Sequence, residues 1–173
     1  RGQVIVKACE EIMQGKLDAQ FPLDVFQAGA GTSEHMNVNE VIANRALTLM
    51  KKPKGAYHLL HPNDHVNLGQ STNDVFHSAI HVAAYLDIRD RLLPALFHLE
   101  HALEKKAMQW KHVLKSGRTH LRDALPMTLG QEFKAYAESV KKDIHHVHES
   151  ALHLLQLNLG GTAIGSGVHA TPH

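Results

Sequence analysis

From Ser71 to Leu114 apolar residues recur at three- and four-residue intervals: Val75, Ala79, Val82, Leu86, Leu93, Leu96, Leu99, Leu103, Ala107, Trp110 and Leu114. That spacing predicts one very long helix with an apolar stripe. Pro94 should kink it, because its ring removes a backbone N–H and crowds the carbonyl four residues back. A second stripe, Phe133, Tyr136, Val140, Ile144, Val147, Ala151, Leu154 and Leu155, predicts another long helix that ends at Gly160 and Gly161. Ordinary helices run ~11 to 12 residues, so stripes of this length need equally long partners. The fold class is therefore all-α, a bundle of long helices joined by polar loops, and self-association is expected of it.

The remaining chain is shorter in period. Val4, Ile5, Ala8, Ile12 and Met13 predict an amphipathic helix over residues 3–15, with Gly15 as its stop. Phe21 to Thr32 carries Pro22, Gly29 and Gly31 and reads as a loop with short extended pieces, feeding a helix from Ser33 to Met50. Lys51–Gly69 and Lys115–Pro126 read as loops. A chain of 173 residues fits one domain over residues 1–173. It opens on Arg1 with helix-like sequence directly behind, and we expect it to be part of a longer polypeptide.

Lysine and arginine total 18 against 17 acidic residues, so no basic field of the kind nucleic acid binding needs is present. Cys9 is alone and cannot form an internal disulfide, and no apolar run of about 18 residues marks a membrane span. A cytoplasmic setting is the expectation. Histidine is over-represented, with 16 residues, and His77 and His81 have a spacing that zinc sites use. No cysteine or carboxylate set accompanies them, so they, like His145, His146 and His148, read as solvated helix-face residues, and no metal is expected.

The loops carry more chemistry than connectors need. Gly31, Thr32 and Ser33 precede a helix, and Ser71, Thr72 and Asn73 open the longest one. Unpaired N–H groups and the positive dipole end at a helix start suit a carboxylate, and hydroxyls and amides add neutral partners. Taken singly, each triplet also suits plain helix capping. Repetition favours binding, because a third loop offers Arg118, Thr119 and His120 in the same style. His120 is the histidine best placed to donate to a carboxylate or move a proton.

These residues lie in longer motifs. GAGTSEHMNVNEVIANRA (29–46), HPNDHVNLGQSTNDVF (61–76), GRTHLRDALPMTLGQEF (117–133) and LGGTAIGSG (159–167) resemble, in the same order, the fumarase/aspartase superfamily. The resemblance covers nearly the whole chain and implies part of that family's central helical domain. It implies a homotetramer, with each active site assembled from loops of three subunits and with no cofactor. It assigns the dicarboxylate to Gly31, Thr32, Ser71, Thr72, Asn73 and Thr119, a catalytic helper role to His120, and a second dicarboxylate site to His61, Asn63 and Asp64. The implied reaction is an anti elimination that yields fumarate. The family's base, a serine in a loop of the form GSSxMPxKxNP, has no match in these residues, so this polypeptide alone is expected to be inactive.

Motif detail in FPLDVFQAGAGTS, QSTND and PMTLGQEF resembles the aspartate ammonia-lyase branch. His120, Gly161 and HPND suit class II fumarate hydratases, which stay open as the alternative, as does a lyase scaffold that has lost catalysis. Four residues depart from the common pattern: Glu34 and His35, which stand for an uncharged residue and asparagine, His77 for proline, and Arg122 for glutamine. Glu34 should repel a dicarboxylate unless it points away or pairs with a cation.

Overall fold

A computed structural model describes residues 1–168 and 170. The chain forms two compact units, Arg1–Ile80 with Leu157–His173, and His81–Gln156.

In the first unit, helix α1 (Gly2–Met13) packs on α2 (Thr32–Leu49). The core is made of small residues, Ala8, Ala43, Ala46 and Ala56, with Ile42, Leu47 and Leu60. Their short side chains let the helix backbones approach closely, and Leu47 and Leu60 fill what remains. Glu11 and Arg45 tie the two helices through a two-pronged ion pair, with Arg45 Nη2 donating to Glu11 Oε1 at 3.0 Å. Arg45 holds the Glu11 carboxyl below its ordinary range. The loop after α2 is pinned by Asn44, whose Oδ1 accepts from the Gly55 N–H at 2.8 Å and whose Nδ2 donates to Tyr57 Oη at 3.1 Å. Phe21 to Gly31 holds a short helical turn (Asp18–Gln20) just before it, and no extended strand forms there. The glycine-rich sequence closes into turns instead.

The expected helix from Ser71 to Leu114 forms as α3 (Thr72–Asp87), a widened turn (Ile88–Leu92) and α4 (Leu93–Gln109). The widened turn lies where Pro94 would crowd the Asp90 carbonyl, so the ring is relieved by a loosened turn. The helix stops at Gln109, short of Leu114.

Where a loop was expected over Lys115–Pro126, the second unit has an antiparallel hairpin, β1 (Leu114–Thr119) and β2 (Arg122–Thr128). Pairs run from Leu114 with Thr128 to Gly117 with Leu125, then Arg118 with Asp123, leaving Ala124 as a bulge. The strand alternation is masked in sequence by Gly117 and Pro126. Helix α5 (Leu129–Leu152) starts at a capping box, with Gln131 N–H donating to Thr128 Oγ1 and Thr128 N–H donating to Gln131 Oε1. It ends at Leu152, followed by one tight turn to Leu155, not at Gly160: Gln156 is already extended.

α4 packs on α5. Gly130, Ala137, Ile144 and Ala151 are the buried residues of α5, seven apart along the chain. Gly130 is where the backbones come closest, since a β-carbon there would stand 2.4 Å from the Ala107 carbonyl oxygen. Trp110 and Phe133 meet edge to face at 4.8 Å. Several expected stripe residues lie open in the single chain, among them Val82, Leu86, Leu99, Tyr136 and Leu155. One neighbouring helix covers only part of so wide a stripe.

Candidate functional site

Gly31 and Thr32 sit where a tight turn feeds α2. The Thr32 N–H donates to the Gly29 carbonyl at 2.9 Å across Ala30 (φ 48°) and Gly31 (φ 80°). Both central residues are left-handed, which Gly31 accepts and Ala30 does not relish. Gly31 caps α2 with no side-chain partner, leaving first-turn N–H groups available. The same device recurs before α3, where Gln70 N–H donates to the Asn67 carbonyl at 3.2 Å across Leu68 (φ 50°) and Gly69 (φ 82°). It appears a third time at the hairpin tip, at His120 (φ 51°) and Leu121 (φ 62°). Strained turns of this kind gather at functional loops.

The starts of α2 and α3 are fastened side by side. A β-carbon at Gly31 would lie 2.3 Å from Phe76 Cδ1, so only glycine admits that ring. One turn on from Gly31, the His35 ring is buried and its Nδ1 stands 2.8 Å from Thr72 Oγ1. Burial lowers the His35 pKa, opposed by the nearby Asn67 side chain, although no well-formed hydrogen bond joins the two. Ser71 Oγ accepts from the Asn73 N–H at 3.1 Å, a capping role that leaves the Ser71 proton free to donate.

Asn73 is pinned by the segment that follows Leu157. Its Nδ2 donates to the Ala163 carbonyl at 2.9 Å, and Asn158 Nδ2 donates to the Asn73 carbonyl at 2.6 Å. Beside it Asp74, 1% exposed, accepts the Thr162 N–H at 2.7 Å through Oδ2, while its Oδ1 and the Ser78 Oγ have no partner among the described residues.

Among the described residues, Glu34 pairs with no cation. Gln27 Nε2 donates to its Oε1 at 2.8 Å, and Oε2 is buried without a partner. His61 turns its Nδ1 toward the N–H groups of Asn63 (3.2 Å) and Asp64 (3.3 Å), so the three residues assigned to a second dicarboxylate site hydrogen-bond loosely to one another. Accepting at Nδ1 leaves the proton of a neutral ring on Nε2.

Thus Gly31, Thr32, Ser71, Thr72 and Asn73 gather in the first unit. Thr119 and His120 belong to the second, at the exposed tip of the β1–β2 hairpin. Two hollows, of about 460 Å³ beside Asn44, Arg45 and Lys54 and about 350 Å³ between Met108 and Gln131, involve none of these residues. Among the described residues, no three or more of His, Cys, Asp and Glu group to hold a metal, and no helix is long and apolar enough to cross a membrane. His77 is exposed and His81 contacts the Gln156 carbonyl at 3.1 Å. His35, singled out in the sequence only as a departure from the family pattern, is the residue that joins the two helix starts. The signal was its position one turn beyond Gly31, on the same face of α2.

A family model described as "Lyase" matches residues 1–173. An aspartate ammonia-lyase of Bacillus subtilis is 48% identical over 171 residues, covering 99% of this chain and 36% of that protein. A class II fumarate hydratase of Thermosynechococcus vestitus is 49% identical over 166 residues, covering 96% of this chain and 36% of that protein. The crystal structure of a fumarate lyase:delta crystallin from Brucella melitensis bound to cobalt superposes with a TM-score of 0.91 at 48% identity, over 98% of this chain and 36% of that one. This chain therefore spans about 36% of the length of such relatives, and with its motifs, its long helices and its matches in agreement, it belongs to the fumarase/aspartase superfamily of lyases.

Proposed function

We propose that the chain carries the dicarboxylate-binding loops of an aspartate ammonia-lyase, which eliminates ammonia from L-aspartate to give fumarate, reversibly and with anti geometry. The observation that supports this is the pair of helix starts fastened by His35 to Thr72 and Gly31 to Phe76, which brings uncapped N–H groups, hydroxyls and an amide together. Removal of a proton beside a carboxylate creates a dianionic aci-carboxylate. Fixed neutral donors stabilise that charge more than the ground state, by up to roughly 3 to 4 kcal/mol for a good donor.

In this reading Thr119 and His120 complete the site from another copy of a homotetramer, whose helices also cover the open stripes of α3 to α5. His61, Asn63 and Asp64 form a second, weaker dicarboxylate position. The serine base is not among residues 1–173, so the chain by itself releases no ammonia. A class II fumarate hydratase is the second reading, favoured by fumarate hydratase relatives at 49% and 48% identity beside the 48% of the aspartate ammonia-lyase. The test is fumarate absorbance with the intact lyase polypeptide on L-aspartate and on L-malate. Turnover of L-aspartate supports the proposal; turnover of L-malate alone overturns it in favour of the second reading, and turnover of neither leaves an inactive scaffold.

A further inference from the structure

Three hydrogen bonds converge on two successive residues in the first turn of α3, and all three come from one stretch, Asn158 to Ala163. Asn158 Nδ2 donates to the Asn73 carbonyl at 2.6 Å, and Asn73 Nδ2 donates to the Ala163 carbonyl at 2.9 Å. Asn73 is thus held by its backbone and its side chain at once. The third bond runs from the Thr162 N–H to Asp74 Oδ2 at 2.7 Å, between residues that are 8% and 1% exposed.

The stretch does not hold this shape for its own comfort. Thr162 is left-handed at φ 60°, a conformation that a branched β-carbon resists. Such a residue persists only where its surroundings hold it. Here Asp74 does so, because its Oδ2 takes the Thr162 N–H, and a buried N–H left without an acceptor is costly. The neighbouring contact then settles the Asn73 amide. A carbonyl oxygen only accepts, so the NH2 end of that amide must face Ala163, and Oδ1 with one N–H is what remains for a ligand. Released from the stretch, Asn73 would be free to turn its amide over and offer the two ends exchanged.

We infer that Asp74 is a positioning residue for Asn73: it locks the strained Thr162, and the stretch from Asn158 to Ala163 thereby fixes which end of the Asn73 amide meets the dicarboxylate. This rests on the reading above that Asn73 faces the substrate. Asp74 itself is too deeply buried to touch a ligand. Its other oxygen, Oδ1, and the hydroxyl of Ser78 one turn along α3 have no partner among the described residues, so the lock on Thr162 is the one use this carboxylate has there.

The experiment measures kcat/KM of the intact lyase polypeptide on whichever of L-aspartate and L-malate it turns over, together with the Kd of succinate, a dicarboxylate that does not react. Where it turns over neither, succinate alone carries the comparison. Asp74→Ala is expected to lower kcat/KM and weaken succinate about ten-fold, the scale of a lost hydrogen bond to a charged group. Asp74→Asn keeps an oxygen for Thr162 and should recover most of that loss. Asn158→Ala lies at an exposed residue and leaves the buried lock in place, so it reads the same clamp should Asp74→Ala fail to fold. Its expected loss is about five-fold, the scale of one neutral hydrogen bond. Because both residues act through Asn73, neither substitution should add to the loss of Asn73→Ala when combined with it. A role in folding alone has no such dependence on Asn73. Losses that multiply in the double variants overturn the inference, as does an Asn73→Ala loss that neither Asn158→Ala nor Asp74→Ala shares. Asn73→Ala equal to the parent in every readout overturns instead the reading that Asn73 faces the substrate, and the inference falls with it.

Discussion

Gly31 lies flat against the ring of Phe76, so close that a β-carbon would come within 2.3 Å of Cδ1, and its backbone is left-handed at φ 80°. Gly31→Ala therefore meets both steric and backbone strain, and we expect a loss of about 1 to 3 kcal/mol in urea unfolding. Shortening the ring in Phe76→Leu should recover part of that loss in the double variant. A Gly31→Ala protein as stable as the parent would mean that the ring moves away at no cost.

Gly130 makes the corresponding prediction for the second unit. Its missing β-carbon faces backbone, the Ala107 carbonyl at 2.4 Å and Lys111 Cα at 2.7 Å, which cannot swing aside as a ring can. Gly130→Ala should cost at least as much as the Phe76 clash, about 2 kcal/mol or more, despite alanine's better helix propensity. Thermal unfolding followed by circular dichroism reads this directly.

Asp74 is buried, and the Thr162 N–H is the one donor to its carboxylate among the described residues. Asp74→Ala leaves that buried N–H unpaired and should cost about 1 to 3 kcal/mol. Asp74→Asn keeps an acceptor oxygen and should cost less. Amide hydrogen exchange should localise the difference, with Thr162 losing protection in the alanine variant only.

Glu11 sets part of the acid limb. Arg45 holds its carboxyl below the ordinary value of 4.5, so the folded state binds its proton more weakly than the unfolded chain. The stabilisation is fully present above pH 4.5 and is lost as the pH falls through the folded value. The Tm gap between parent and Glu11→Gln should be constant near neutrality and close in that acidic window. A gap that widens on acidification has the wrong sign.

His35 acts at higher pH. Its pKa is lowered from 6.5 by burial, so between that value and its folded pKa the unfolded chain holds more protons and stability falls as the pH drops. His35→Asn should remove this slope below pH 6.5 while leaving the Glu11 limb in place. The difference in Tm–pH profiles between parent and variant isolates it.

The elements were legible from periodicity wherever one apolar stripe ran long: α1, α2, α3 with α4, and α5 all lie where the spacing puts them. The hairpin was not, because Gly117 and Pro126 interrupt its alternation and none of its residues is buried to set an apolar face. Helix ends also escaped, since the stop at Gln109 is set by how Val113 and Trp110 carbonyls meet Leu129 and Gly130 N–H groups, a tertiary event. In the candidate site, the glycines and hydroxyls of the motifs lie on loops that the fold brings together at the starts of α2 and α3. The fastening of α2 to α3 was hidden, because His35 reads as one more histidine among many until Thr72 is placed beside it.

The buried residues of α5 carry one further implication. Gly130, Ala137, Ile144 and Ala151 repeat every seven residues, whereas an ideal straight helix drifts by ~20° in each such interval. Over the three intervals a straight α5 would turn this row by ~60° across its packed face. To keep all four buried, the pair must wind about each other as a shallow left-handed supercoil, and its handedness is written in the interval itself.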